Sequence, residues 1–362
     1  MNMMGVPPLL GVHQVPQDFH EDSILAGYRN PRSSARECIY SIFQFTNETI
    51  NIWTHFLPTW YFVWWLLVLW GEVDLLGRPY HRPLAVFMLS CCVYPIASTC
   101  AHTFSTMSQR ARHICFFFDY AALSLYSLGS AMVYNAYVIP DKWLGGTFHR
   151  CFVPIALFNT VLCTSMACYS RLGLPFIHYN RFTLESSLEL KRPRMAKVLR
   201  VVAFAFPYLF DNIPLFYRIF LCSGEGCTDN EAVPTHRLHT LFAFLTGFLF
   251  ATHLPERLAP GVFDYVGHSH QLFHVSAIVG THFQIKAVLL DLHSRADWLS
   301  TASVAAPSLL ETGGAFCLAI ALNLLVIAFF AVGLYSKQQQ QRQQPNPVQD
   351  NGAINLPKSH AE

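Results

Sequence analysis

The sequence predicts an all-α membrane protein, a polytopic bundle of transmembrane helices. Only 13% of its 362 residues are charged, whereas soluble domains carry about 25% charged residues. Hydrophobic residues make up 52% of the chain, and they cluster in runs close to the length of about 20 apolar residues that a membrane span needs. The 24 Lys and Arg residues nearly balance the 22 Asp and Glu residues. The composition therefore excludes both a disordered chain and a strongly nucleic-acid-binding protein.

The apolar runs predict eight membrane spans, and the sixth is the shortest and weakest of them. Their bounds are 53–70, 83–104, 114–138, 151–169, 200–221, 239–254, 270–290 and 313–335. The runs do not alternate every second residue, as the strands of a membrane barrel do. Asp211, Asn212 and Pro214 interrupt the fifth run, which predicts a kinked or locally opened helix.

The positively charged residues are distributed unevenly between alternate loops. If the N-terminus lies in the cytoplasm, the segments on that side hold Lys and Arg in an excess of about two to one. The positive-inside rule therefore predicts that both termini are cytoplasmic. Residues 1–16 lack a basic region followed by an apolar core, so no cleaved signal peptide is expected.

Residues 1–52 are predicted to form a cytoplasmic segment ahead of the first span. Residues 34–37 fit a helix capping box, and Ile39, Ile42 and Phe43 follow at helical spacing. This pattern indicates either an amphipathic helix on the inner membrane surface or an ordinary lead-in to the first span.

Three further segments outside the spans carry distinct signals. The basic 170–197 loop favours either a site for anionic lipid or a cytoplasmic partner, or a simple determinant of topology. The tail, residues 336–362, contains a Gln run with scattered Pro and Asn, and this composition predicts disorder. Cys222 and Cys227 flank a short outward loop, where a disulfide is one alternative and two free thiols the other.

Ionisable groups inside spans are costly and usually functional, so they locate a candidate site. His270 and His274 are four residues apart at the start of span seven, which places both rings on one helix face. His102 lies near the end of span two, one turn after Ser98, and Asp119 lies near the start of span three. Under the predicted topology, all of these groups fall at a similar depth in the inner half of the membrane.

The three histidines match the ligands of an open zinc site. Three neutral imidazoles leave a fourth tetrahedral position for water, which is typical of catalytic zinc. Asp119 is a candidate to hold and deprotonate such a water, or to orient one imidazole. The alternative is a buried, hydrogen-bonded His pair without a metal.

Other polar residues near the spans have simpler predicted roles. His55 and His253 sit near span ends, where they are expected to snorkel towards the interface. Asp211 is expected to pair with a neighbouring helix. Glu256 and Arg257 are predicted to form a structural ion pair in the turn before span seven.

Four short motifs resemble those of the progestin and adipoQ receptor family. Residues 47–55, Asn-Glu-Thr-Ile-Asn-Ile-Trp-Thr-His, resemble its signature before span one. The segments 98–102, 118–120 and 270–274 are similar to its three further motifs, in the same order. The run 253–271 is especially similar to the membrane progestin receptor branch, of the gamma or delta type, and the resemblance extends over about residues 10–300.

The resemblance implies a fold and a metal. The implied fold is a seven-helix core, residues 53–290, with a cytoplasmic N-terminus, followed in this branch by an eighth span at 313–335. The implied metal is Zn2+ near the cytoplasmic face, with the ligands His102, His270 and His274. Asp119 matches the family aspartate beside the metal, and Ser98 matches the motif serine.

The resemblance also implies two functions that the same residues could serve. One is a plasma-membrane receptor that binds a progestin steroid and signals rapidly through a heterotrimeric G protein, without acting on genes directly. The other is a zinc-dependent lipid amide hydrolase acting on ceramide or a related lipid, with Asp119 and Ser98 as catalytic residues. The segment 172–190 looks longer than the family pattern, and the tail after residue 336 matches no family motif.

Overall fold

The computed structural model of the protein describes residues 7–172, 193–301 and 306–343. Within these ranges the chain is helical, and its one β pairing is an isolated bridge between Leu10 and Tyr28. The predicted all-α bundle is therefore confirmed. Apart from Leu172, the predicted insertion at 172–190 lies outside the described residues, as does the tail beyond Gln343.

Ten α-helices follow one another along the described chain. Their bounds are α1 Ala35–Tyr40, α2 Thr49–Glu72, α3 Arg82–Phe104, α4 Gln109–Val133, α5 Thr147–Leu172, α6 Pro193–Asp211, α7 Ile213–Phe216, α8 Ala232–Thr252, α9 Ser269–Thr301 and α10 Ala315–Gln343. Single π-helical turns extend α4 over Tyr134–Val138 and α7 over Tyr217–Leu221, and a third precedes α10 at Leu310–Gly314.

Six of these helices are long and apolar enough to cross a membrane, and the α6–α7 pair makes a seventh span if it is counted as one. That pair bends by 56° between Asp211 and Ile213, which confirms the predicted break. Proline supplies a reason, because Pro214 cannot donate the backbone hydrogen bond that would continue α6. The predicted sixth span, α8, falls outside this set, since His236, Arg237 and His239 make its first half polar.

The packing of the helices brings the sequence motif at 47–55 next to the motifs at 98–102 and 270–274. Each helix from α2 to α6 packs on the next, α8 packs along α9, and α9 returns to α2. The additional helix α10 packs against α4 and α5. Large buried aromatic side chains fill the interior, among them Phe62, Phe87, Tyr134 and Phe152. The start of α9 therefore meets the start of α2 and the end of α3.

Two peripheral features match or complete the sequence predictions. Ser34 and Glu37 form the predicted capping box, in which the Ser34 backbone N–H donates to Glu37 Oε2 at 2.6 Å. Ile39 and Phe43 nearby are exposed, as the membrane-surface alternative for this segment requires. Cys222 and Cys227 form a disulfide bond, which decides between the two alternatives left open by the sequence.

Candidate metal centre

Three histidine side chains from two helices converge on one point. His102 is near the end of α3, and His270 and His274 are in the first two turns of α9. The Nε2 atoms of His102 and His270 are 3.2 Å apart. One nitrogen from each of the three rings lies within 4.8 Å of the others. The structure therefore assembles the three histidines that the sequence singled out.

Glu48 orients the His102 ring. The Nδ1 atom of His102 is 2.8 Å from Glu48 Oε2, and Asn51 Nδ2 donates to the same oxygen at 2.7 Å. A carboxylate only accepts hydrogen bonds, so Nδ1 of His102 carries the proton and Nε2 presents a lone pair to the cluster. This carboxylate–histidine pairing is typical of metal sites, where it fixes the tautomer and raises the basicity of the ligand.

Groups on α2 orient the His274 ring in a similar way, through its Nδ1 atom. Its Nδ1 atom lies 3.1 Å from the backbone oxygen of Asn51 and 3.2 Å from Thr54 Oγ1. The Thr54 hydroxyl donates to the backbone oxygen of Ile50 at 2.7 Å, so it accepts from His274. Both partners are thus acceptors, which places the proton on Nδ1 and leaves Nε2 of His274 as a free ligand atom.

The donor set, and the distance between two of its nitrogens, fit a tetrahedral metal ion. Zinc–imidazole bonds of about 2.0–2.1 Å correspond to nitrogen–nitrogen separations of about 3.3 Å at a tetrahedral centre. The 3.2 Å between the Nε2 atoms of His102 and His270 is close to that value. Imidazole nitrogens suit zinc, copper, iron and nickel, and the three rings leave one coordination position open.

Two buried charged residues hold the helix ends that carry these ligands. Arg29 donates to the backbone oxygens of His102 at 2.5 Å and Thr103 at 2.9 Å, so it satisfies carbonyls at the C-terminal end of α3. Burial lowers the pKa of the Arg29 guanidinium, and the nearby Glu48 carboxylate opposes that shift. Glu256 accepts the Ser269 backbone N–H at 2.7 Å, and also its hydroxyl, which caps the first turn of α9.

The role of Glu256 differs from the ion pair predicted with Arg257. The Glu256 carboxylate is 3% exposed and faces Ser269. Among the described residues, it forms no ion pair with Arg257. A buried carboxylate stabilises the positive N-terminal end of a helix. His253 follows the last residue of α8 in a left-handed conformation, with its Nδ1 atom 3.8 Å from Glu256 Oε1 and its side chain partly exposed.

His55 lies inside the bundle, so the prediction that it snorkels to the interface was wrong. It is 3% exposed, and its ring stacks on that of His274 with 3.7 Å between centroids. Neither ring nitrogen of His55 has a hydrogen-bond partner among the described residues. The reason is that α2 begins at Thr49, a full turn before the predicted span, which draws His55 below the surface.

Comparison with known proteins agrees with this geometry. A family described as Haemolysin-III related matches residues 43–285, a range that includes Glu48 and all three histidines. The chain belongs to this family.

The curated relatives place the chain within one branch of that family. Membrane progestin receptor gamma-B of Danio rerio is 60% identical over 334 residues, which is 92% of this chain and 96% of the relative. Membrane progestin receptor delta of Homo sapiens is 56% identical over 336 residues, covering 92% of this chain and 93% of the relative. Membrane progestin receptor gamma of Homo sapiens is 48% identical over 335 residues, covering 92% and 96%. These relatives confirm the predicted resemblance to the membrane progestin receptors of the progestin and adipoQ receptor family. Together with the apolar helices, they identify an integral, multi-pass membrane protein.

The other two predicted site residues, Asp119 and Ser98, lie beside the cluster rather than in it. The group of described side chains that could hold a metal consists of the three histidines alone. Asp119 is half-buried on α4, in the neighbourhood of His102 and Arg171. Ser98 is buried on α3, one turn before His102.

A second buried polar cluster, which the sequence analysis missed, lies towards the other end of α9. Asp291 accepts hydrogen bonds from Arg218 at 2.7 and 2.8 Å, from Asn230 at 2.9 Å, and from His236 Nε2 at 2.8 Å. The predicted span ended at residue 290, one residue before Asp291. The helix in fact continues to Thr301, which carries Asp291 into the bundle.

Proposed function

We propose that this protein is a progestin receptor of the plasma membrane, with a zinc ion held by His102, His270 and His274. The observation that supports a steroid ligand is the similarity of nearly the whole chain to proteins named membrane progestin receptors, at 48–60% identity. A progestin is compact and mostly apolar, so it reaches a site in a helix bundle through the bilayer and needs few polar anchors.

The choice of zinc rests on the donor set. Three imidazole nitrogens, two of them oriented by hydrogen bonds at Nδ1, suit a tetrahedral ion. Zinc bound there would supply a Lewis acid with one open coordination position. The same ligands join α3 to α9, so in a receptor the ion would tie together the two helices that meet at this end of the bundle.

We further propose that the metal-binding end of the bundle faces the cytoplasm and that the receptor signals through a heterotrimeric G protein. The orientation rests on the excess of Lys and Arg in the loops on that side.

The proposed G-protein coupling rests on resemblance to the receptor branch. Progesterone-stimulated nucleotide exchange, measured on a purified G protein mixed with the full chain in lipid nanodiscs, tests it. Exchange that does not change with progesterone would remove the coupling.

Equilibrium binding of radiolabelled progesterone tests the receptor function directly. The full chain, purified and placed in phosphatidylcholine nanodiscs, is expected to bind the steroid saturably, with empty nanodiscs as the control for partitioning into lipid. Binding that rises linearly with concentration, as in empty nanodiscs, would contradict the proposal.

The second candidate function is zinc-dependent hydrolysis of a lipid amide such as ceramide. It is supported by the open coordination position and by Asp119, which lies in the neighbourhood of His102 and is a candidate base. Asp119→Asn is expected to keep the metal and to abolish ceramide turnover. The matched control is Asp74→Asn, at an exposed position. Equal turnover in Asp119→Asn and the unmodified protein would exclude Asp119 as the base.

A further inference from the structure

Three arginine side chains from three helices gather around two aromatic rings at the metal-binding end of the bundle. The guanidinium carbon of Arg171, in the last turn of α5, lies 4.0 Å from the centre of the Phe116 ring. That of Arg112, on α4, is 5.5 Å from the same ring, and that of Arg200, on α6, is 5.7 Å from the Tyr120 ring. Like charges brought this close repel one another, so the arrangement favours a bound anion.

Two of these arginines, Arg171 and Arg200, form no ion pair with any described residue. Arg171 donates from Nη1 to the Tyr120 hydroxyl at 3.1 Å, and Arg200 donates from Nε to the Ser170 hydroxyl at 3.2 Å. Asp119 lies in the neighbourhood of Arg171 but accepts no hydrogen bond from it. Nη2 of Arg171 and both Nη atoms of Arg200 have no partner within the described chain, and, unlike Nε of Arg171, they are accessible at the surface. These nitrogens can therefore donate to an anion from outside the protein.

Two cations beside this arginine pair are already neutralised. Glu21 forms an ion pair with Arg112, and Asp22 forms one with Lys197, so the segment before α1 supplies both carboxylates. The remaining pair of guanidiniums matches a phosphate monoester. Such a group carries up to two negative charges, and its oxygens accept paired hydrogen bonds from the planar guanidinium fork.

The surface around the arginine pair is apolar. Val198 and Val202, two residues to either side of Arg200, are about half exposed on a helix that belongs to a candidate membrane span. About one turn deeper, Met166 and Ala203 line an apolar groove of about 230 Å³ between α5 and α6, the two helices that carry the arginine pair. A phosphate attached to an acyl chain fits both features, because its charge meets the guanidiniums while its chain lies in the groove. A soluble phosphate would use only the first.

We propose that Arg171 and Arg200 bind the phosphate monoester of an anionic phospholipid such as phosphatidic acid, with an acyl chain in the α5–α6 groove. The lipid comes from the leaflet at the metal-binding end, which is the cytoplasmic leaflet in the proposed orientation and the one rich in anionic lipid. Bound there, it joins α5 to α6 beside Phe116, whose ring centre is 5.5 Å from that of His102. The site requires neither the steroid nor the metal, so it stands or falls independently of the receptor function.

Native mass spectrometry of the detergent-purified full chain, incubated with one lipid at a time, tests the site. The unmodified protein is expected to bind phosphatidic acid at least about 10-fold more tightly than phosphatidylcholine. Arg171→Gln and Arg200→Gln each remove one charged donor group and are expected to weaken the binding of phosphatidic acid about 10-fold. The matched control is Arg36→Gln, which removes one positive charge from an exposed position on α1 and is expected to leave binding unchanged.

Two further lipid and phosphate comparisons identify the anion. Phosphatidylserine carries a phosphodiester with a single negative charge, and the unmodified protein is expected to bind it more weakly than phosphatidic acid. Inorganic phosphate is expected not to displace phosphatidic acid, because it lacks the acyl chain. Equal binding of the two acidic lipids would overturn the assignment to a monoester, and displacement by inorganic phosphate would overturn the assignment to a lipid.

The variants and the unmodified protein provide separate ways to overturn the proposal. Equal binding of phosphatidic acid by Arg171→Gln, Arg200→Gln and Arg36→Gln would remove the arginine pair as its site. Equal binding of phosphatidic acid and phosphatidylcholine by the unmodified protein would remove the site altogether, and this result does not depend on whether any variant folds. Thermal unfolding of each variant without added lipid identifies those that fold normally.

Discussion

The two ends of α9 carry buried polar clusters that are built in opposite ways. Towards its C-terminal end, Asp291 accepts hydrogen bonds from Arg218, His236 and Asn230, so each charge and most donors find a partner within the protein. At its N-terminal end, His270 presents a nitrogen to a nitrogen of His102 at 3.2 Å, while the Nδ1 atom of His102 is already engaged by Glu48.

The difference separates a structural network from a binding site. A network whose charges are paired stabilises one packing of the helices, and in this one only His236 Nδ1 lacks a partner among the described residues. At the other end, acceptors hold the outer nitrogens of His102 and His274, so their inner nitrogens present lone pairs towards His270. A cation would satisfy such converging nitrogens. Burial and polarity are similar at the two ends, so the direction of the ligand atoms, rather than the presence of histidine, distinguishes them.

The largest expected effect comes from breaking the Asp291 cluster. Asp291→Leu leaves the Arg218 guanidinium buried without its counterion, and we expect it to reduce the free energy of unfolding by about 3–5 kcal/mol. Thermal unfolding of the detergent-purified protein measures this loss. The double variant Arg218→Met with Asp291→Leu is expected to regain much of the stability, because apolar side chains then replace the whole pair. An unchanged melting temperature in the single variant would show that this end of α9 does not depend on the pair.

A smaller effect, confined to the histidine cluster, is expected from Glu48→Gln. The substitution removes the carboxylate that orients His102, and such losses typically lower metal affinity by about 10–100-fold. Competition with a zinc chelator of known affinity measures the change, and Glu72→Gln, at an exposed position near the end of α2, is the matched control. Equal zinc affinity in Glu48→Gln and the control would mean that the Glu48 carboxylate does not strengthen zinc binding by His102.

The smallest expected effect concerns the cap that presents both α9 ligands. Glu256→Gln weakens the charged hydrogen bonds to Ser269, and we expect the free energy of unfolding to fall by about 1–2 kcal/mol. Zinc content per folded chain is expected to stay constant, since no ligand is removed. Thermal unfolding and metal analysis of the same sample check both points, and a loss of zinc without a loss of stability would contradict the capping role.

Much of this architecture follows from local sequence patterns. Hydropathy predicts the spans because each is nearly continuous in the chain, and Pro214 predicts the break before α7 because its effect on the backbone is local. The convergence of His102 with His270 and His274 is also predictable, since the helical period fixes which side chains share a face and the alternation of spans fixes their depth.

The positions of the residues that were missed depend on how far neighbouring helices are shifted along their axes relative to one another. Glu48 is an acidic residue before a span, and nothing in its own segment indicates that α2 starts beside the end of α3. His55 was misplaced, and Asp291 was left just outside the predicted span, for the same reason, because a shift of one turn at a helix end moves a side chain from the interface into the bundle. The motif at residues 47–55 carried the available signal, since its Glu, Asn and His recur at helical spacing on one face.

Metal analysis of the purified protein tests the central claim most directly. Inductively coupled plasma mass spectrometry is expected to find about one zinc per chain in the unmodified protein. His270→Ala is expected to lose the metal and to unfold at a lower temperature, whereas His293→Ala, at an exposed position on the same helix, is expected to keep both. A metal-free unmodified protein, or a His270→Ala variant with normal zinc and normal stability, would contradict the claim that the histidines at the start of α9 form a metal site.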